Sequence, residues 1–217
     1  RMSEGSEGYS PVMNMGADYA INNNSSIKTE FAISNYDVNT FSEKDNGDDA
    51  GLAAKIQIAN TKPLNSSKGG KTKLITNFDY EYVQDKFRPI ERLRQVEFSR
   101  DWGVSTGSKA TENIIKAAAR LQNEKNNFVS YQFMNYHRSD DYNGMQHYIQ
   151  QVADWGGWKL NNYLSLTNFN TSIEKGTFFR PVLDVSKELK NFNSHSIGMR
   201  YALEQNAVKN KATDTLT

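Results

Sequence analysis

The sequence predicts an all-β protein of long antiparallel hairpins, arranged as a barrel wall or an elongated sheet. Three observations carry this reading. Apolar and polar residues alternate with a period of two through most of the chain. Clusters of Asn, Asp, Ser and Gly divide the alternating runs. Within those runs one side is free of Lys, Arg, Asp and Glu. Successive side chains of a strand point to opposite faces, so each run has an uncharged face and a charged one.

The runs follow in chain order. "SIKTEFAIS" sets Ile27, Phe31 and Ile33 against Lys28 and Glu30, although Asn23 and Ser25 interrupt the stretch before it. "GLAAKIQIAN" sets Leu52, Ala54, Ile56 and Ile58 against Ala53, Lys55 and Gln57. In "KTKLITNFDYEYV", Leu74, Thr76, Phe78, Tyr80 and Tyr82 oppose Lys73, Asn77, Asp79 and Glu81. "FVSYQFMNYH" is a clear strand. "FFRPVLDVS" places Phe179, Leu183 and Val185 against Arg180 and Asp184, and "SIGMRYALEQ" places Ile197, Met199, Tyr201 and Leu203 against Arg200 and Glu204. Leu160 and Leu164 belong to a further run that Asn162 interrupts.

Two segments compete as helix. Residues 110–122 lie in "ATENIIKAAARLQNEK", rich in Ala, Glu, Lys and Arg, all good helix formers. The same stretch also alternates, with Ile115, Ala117, Ala119 and Leu121 against Lys116 and Arg120. A turn and a clear strand follow it, which favours a hairpin. Residues 89–97 are the second candidate, since Pro89 suits a first helical position.

Turn signals stand at 22–26, 45–49, 65–70, 123–127, 140–144, 156–157, 174–176 and 190–194. Asn, Asp and Gly tolerate the left-handed backbone that tight turns need. About ten or eleven strands result. From residue 123 onward the turn centres recur about every 15 to 18 residues. Sandwich domains turn every ~8–12 residues. The longer interval implies strands of ~10–13 residues, against the ~9–11 an outer-membrane barrel strand needs to cross hydrocarbon.

Composition bounds the function. The 217 residues fit a single β-domain over 1–217, and the opening at Arg1 and the ending "KNKATDTLT" read as a fragment of a larger chain. Net charge is +1, from 26 basic and 25 acidic residues, so no global field draws nucleic acid. Cysteine is absent, which excludes disulfides and thiolate metal sites. Mean hydropathy is −0.75. No run of about 18 apolar residues marks a membrane helix, but membrane strands alternate and average out as polar.

The densest charge run, "FRPIERLRQVEFSRDWGV" (87–104), holds Arg88, Glu91, Arg92, Arg94, Glu97, Arg100 and Asp101. Four arginines alternate with three carboxylates, so the run largely neutralises itself. A phosphate site would show unpaired positive charge. A structural charge cluster that locks a connection against the sheet is expected. The acidic loop 37–49, with Asp45, Asp48 and Asp49, could hold a cation through oxygen ligands. It lacks the EF-hand order and reads as a solvated loop. His137, His147 and His195 are dispersed, and no zincin, phosphate-loop, Rossmann or nucleophile-elbow motif occurs. No metal, cofactor or catalytic residue is expected. Trp102, Trp155 and Trp158 lie near inferred strand ends, as candidates for an aromatic girdle at a membrane interface, for capping a core, or for stacking on sugars.

The succession "YEYVQDKFRPIERLRQVEFSRDW", "FVSYQFMNYHRSDDYNGMQHY" and "FFRPVLDVSKEL…SIGMRYALEQN" resembles the repeated long hairpins of large outer-membrane β-proteins of Bacteroidota, a group that includes the barrel of the type IX secretion translocon. The resemblance implies an outer-membrane location and a role in transport, protein export or envelope assembly. The expected function is therefore non-enzymatic: an outer-membrane barrel segment acting as scaffold or conduit. Its partners would be the lipid bilayer, outer-membrane lipids and other envelope proteins. The alternative is a soluble or cell-surface β-sheet module, periplasmic or surface-attached, that recognises glycan or protein through Trp155, Trp158 and Tyr163. A β-rich hydrolase would need two carboxylates converging at ~5–9 Å.

Overall fold

A computed structural model describes residues 11–35, 50–65, 71–104, 109–189, 195–213 and 215. Among them, eleven strands and one short helix follow in order: β1 (Val12–Asn22), β2 (Ser25–Asn35), β3 (Ala50–Asn65), β4 (Lys71–Val83), α1 (Phe98–Trp102), β5 (Glu112–Asn123), β6 (Phe128–Arg138), β7 (Asn143–Trp155), β8 (Trp158–Asn170), β9 (Glu174–Leu189), β10 (His195–Ala202) and β11 (Gln205–Asn210). All strands belong to one sheet, in sequence order from β1 to β10, with β11 also on β9. Every pairing is antiparallel. The sheet is open, with β1 at one edge and β10 and β11 at the other. The all-β expectation holds, in its elongated-sheet form.

Short turns return the chain beside itself. Gly156 and Gly157 close the β7–β8 hairpin with φ of 58° and 81°, the two-residue geometry whose twist matches paired strands. Asn126 supplies φ 61° between β5 and β6. These turns and Asn23–Asn24 share one end of the sheet, here called the hairpin end. The long β4–β5 connection and the turns 139–142 and 171–173 share the opposite end.

The outer edge opposite β8 is one broken strand. Ala202 pairs with Val182 and Gln205 with Phe179, so the register runs through unchanged. Between them Leu203 faces Pro181. Its N–H donates to the Pro181 oxygen at 3.1 Å, but proline has no N–H to return the bond. The ladder therefore lapses for two residues and resumes.

Residues 110–122 do not form a helix. β5 occupies 112–123, and the only helix among the described residues sits at 98–102, directly after the 89–97 candidate. Helix propensity is a weak prior beside partners on both sides. Ile115, Ala117, Ala119 and Leu121 pair with Tyr80, Phe78, Thr76 and Leu74 on β4. On the other side they pair with Asn135, Phe133, Tyr131 and Val129 on β6.

The core lies on the charged face, at the end of the long connection. Trp102 (2% exposed) and Tyr136 (1%) are its centre, with Ile114, Tyr142, Phe169 and Phe178 around them. Tyr136 meets the rings of Phe98 and Trp102 edge-on at 5.2 and 5.4 Å, a favoured aromatic geometry. The Tyr142 hydroxyl donates to the Trp102 carbonyl, and burial pushes its phenol pKa up.

Glycine makes room for this packing. The connection crosses the sheet where Gly51 presents no side chain, and a Cβ there would run into the backbone of Lys86 and Phe87. Gly144 and Gly176 open the floor beneath Trp102 and Phe169. Gly103 ends α1 at φ 63°, and a Cβ on it would lie 2.8 Å from Phe169 Cε1. Gly103→Ala is expected to cost about 1–3 kcal/mol, from the left-handed backbone and the displaced ring together. An unfolding midpoint equal to that of the parent chain would contradict this.

Candidate functional site

Register across the sheet assigns each residue to a face, because directly paired residues point the same way. The first face collects Met15, Phe31, Ala54, Tyr82 and Asn113 along one line of pairs, and Tyr131, Ile149 and Leu164 along another. Among the described strand residues it carries no Asp, Glu or Arg. Its cations are Lys62, Lys175, Lys187 and Lys209 with the three histidines. The lysines stand near strand ends. On β9, Lys175 and Lys187 bracket Thr177, Phe179, Pro181, Leu183 and Val185. Twelve residues at ~3.3 Å each cover ~40 Å of strand. His147 alone of the histidines lies mid-strand, and its Nδ1 is held by the Tyr131 hydroxyl at 2.8 Å.

Nothing described covers this face. Met15 is 72% exposed, Met199 67% and Trp155 82%. Trp155 pairs directly with Trp158 at the hairpin end. Lys187 reaches over the Trp158 ring at 5.0 Å and donates to the Gly156 carbonyl at 2.7 Å.

The second face carries the remaining strand charges, with opposite signs set against each other by register. Asp18 faces Lys28, Lys55 lies between Glu30 and Glu81, Asp79 faces Lys116, Glu112 faces Arg138 and Asp184 faces Arg200. The Asp18–Lys28 ion pair closes at 2.9 Å. Such exposed pairs stabilise by only about 0.2–1 kcal/mol each.

Residues 84–104 of the β4–β5 connection lie on this face and are ion-paired to the sheet at two points. Arg94 forks between two strands, pairing with Glu81 on β4 and with Glu112 Oε2 on β5 at 2.8 Å. Burial opposes its charge, but the Glu81 and Glu112 carboxylates hold its pKa above the ordinary arginine value. Glu112 also accepts from the Tyr136 hydroxyl at 2.8 Å. Asp101 is the second anchor, 2.7 Å from Arg180 on β9, whose Nε lies 3.1 Å from Glu204.

The residues of the 87–104 run therefore divide. Arg94 and Asp101 bind the sheet. Arg100 pairs within the run, with Glu97 at 2.9 Å and Asp101 at 3.5 Å. Arg88 caps local carbonyls of Asp85 and Phe87, and its N–H donates to Ser34 Oγ at 2.8 Å. Glu91 and Arg92 face solvent. Of the three tryptophans, Trp102 is buried in the core, while Trp155 and Trp158 stand exposed on the uncharged face. Tyr163 lies on the opposite face, stacked on Tyr148 at 6.0 Å, so Trp155, Trp158 and Tyr163 do not line one groove. Asp45, Asp48 and Asp49 lie outside the described residues. No cluster able to hold a metal ion occurs among the described residues. Carboxylates converge on arginines: Glu81 and Glu112 on Arg94, Glu112 and Asp140 on Arg138, Asp101 and Glu204 on Arg180.

Sequence reasoning missed a groove of about 580 Å³ on the charged face. Ala59 and Ala118 form its floor, with Lys116, Arg120, Gln132 and Tyr148 among its walls. Small residues on two strands at matching register were its only signal. Comparison with family models, with curated proteins and with solved structures finds no match to this chain.

Proposed function

We propose that this chain is a wall segment of an outer-membrane β-barrel, a non-enzymatic scaffold or conduit in envelope transport, protein export or assembly. The carrying observation is the uncharged, uncovered face. Ten strand positions at ~4.8 Å spacing and ~30 Å of height span ~1,400 Å² of sheet, on which Met15, Phe31, Leu52, Ile149, Leu183 and Met199 stand exposed among Asn, Gln and Thr. Soluble monomers seldom expose apolar patches above about 300–600 Å². In this reading the uncharged face meets lipid, and the end lysines extend their ammonium groups to the interface. The Tyr131–His147 bond satisfies polar atoms that hydrocarbon would penalise. The charged face lines the interior, with residues 84–104 folded into it. Both sheet edges then pair with further strands, since unpaired backbone is not tolerated in hydrocarbon.

Quenching by lipids tests the orientation. The full chain is reconstituted into phosphatidylcholine vesicles with brominated acyl chains. Fluorescence from Trp155 and Trp158 is expected to fall, while that of buried Trp102 persists in a variant with both other tryptophans replaced by Phe. Release of the whole chain from membranes by salt alone, as a soluble monomer, would overturn the proposal.

A further inference from the structure

The groove on the charged face has a local excess of positive charge. Arg138, Arg180 and Arg94 are committed to carboxylates, and Lys28 is paired with Asp18. Lys116 and Arg120 differ: neither is ion-paired to a described residue. Asp79, across from Lys116 in register, instead accepts from the Gln57 amide at 2.7 Å. The Arg120 guanidinium lies over the Phe128 ring at 4.0 Å, which holds it beside the groove. Lys116 and Arg120 are four residues apart on one strand, hence ~13 Å, with Ala118 between them.

Lys28 and Asp79 also line the groove, one cation and one carboxylate, so the excess rests on Lys116 and Arg120, and the remaining polar lining is hydroxyl and amide. Gln132, Gln150 and Tyr148 face the groove, and Tyr148 is backed by its stacked partner Tyr163. Amides and hydroxyls both donate and accept, as sugar hydroxyls do. Apolar lining is limited to alanine and isoleucine, which leaves no pocket for the large side chains of a peptide. We infer that this groove is a binding site for an acidic oligosaccharide, with Lys116 and Arg120 each taking a uronate-type carboxylate and the amides reading the hydroxyls between them. The site stands on the charged face whichever solvent meets the other face, so it does not depend on the membrane reading.

Calorimetric titration of the full chain in non-ionic detergent, with tetragalacturonate as probe, decides the matter. Saturable binding is expected. Lys116→Gln and Arg120→Gln should each weaken it about tenfold or more, the loss of one charge-assisted contact. Lys159→Gln, on the same face outside the groove, should leave it unchanged, and all variants should keep the β-sheet circular dichroism of the parent. Maltotetraose, of equal length without carboxylates, should bind at least about tenfold more weakly. Absence of tetragalacturonate binding, unchanged affinity in both groove variants, or equal binding of tetraglutamate would overturn the inference, the last by showing a site for acidic peptide.

Discussion

Arg94→Ala is expected to lower stability by about 3–5 kcal/mol, the range for removing one partner of a buried ion pair. Arg94, Glu81 and Glu112 are each a quarter exposed or less, so water does little to rescue Glu81, while Glu112 keeps Arg138 at 3.6 Å and the Tyr136 hydroxyl. The connection should detach with the loss, because Arg94 is its tie to β4 and β5. Limited trypsin digestion reads this out, with new cleavage after Lys86 and Arg92. Arg94→Lys should fall between the two, since an ammonium is a point charge and cannot fork to both strands. A double variant, Arg94→Met with Glu81→Gln, should recover most of the loss, because it removes the carboxylate left uncompensated and leaves Glu112 paired with Arg138. An unmoved unfolding midpoint in Arg94→Ala would show that Asp101 and the aromatic anchors hold the connection without Arg94. Asp101→Asn should have a smaller effect, because Asp101 and Glu204 share Arg180 from partly exposed positions where solvent screens them.

The contrast between these two anchors also marks what sequence could reveal. Strand alternation was readable because the sheet is a simple meander, in which neighbours in the chain are neighbours in space. The turns at 22–26, 123–127 and 156–157 were readable for the same reason, their residues supplying their own backbone geometry. Pairing at a distance was not. The partners of Arg94 lie 13 and 18 residues away, and that of Asp101 lies 79 residues away. No local pattern distinguishes them from Glu91 and Arg92, which touch solvent.

Glycine misled in a similar way. Gly144 and Gly176 closed the turn signals at 140–144 and 174–176, yet both sit inside strands. The turns themselves, at 139–142 and 171–173, stand one to three residues earlier. These glycines serve the core, by keeping a side chain out of the space that Trp102 and Phe169 fill. Trp102 likewise stands near its two fellow tryptophans in type and in strand-end position, but a helix of five residues carries it onto the charged face. A period-two pattern assigns faces only within strands, so a residue in a connection escapes it.

A single substitution separates a lipid-facing sheet from a water-facing one. Ile149 lies mid-strand on the uncharged face, between Tyr131 and Leu164 in register, and is 43% exposed. If water bathes this face, Ile149→Arg places a charge where charge is welcome and should change stability by no more than about 0.5 kcal/mol. If lipid bathes it, the same change costs about 2–4 kcal/mol near the bilayer midplane. The membrane reading gives the second result, measured as a lowered urea midpoint for unfolding from vesicles. Asn161→Arg is the matched control: Asn161 is exposed on the charged face, opposite Val152, and its substitution should be nearly silent in either solvent. The comparison needs both variants in the same vesicles, because the expected signal is the difference between faces and cancels any general effect of an added arginine. Equal, small shifts for Ile149→Arg and Asn161→Arg would mean that the uncharged face does not meet hydrocarbon, and would remove the argument for a barrel wall at its root.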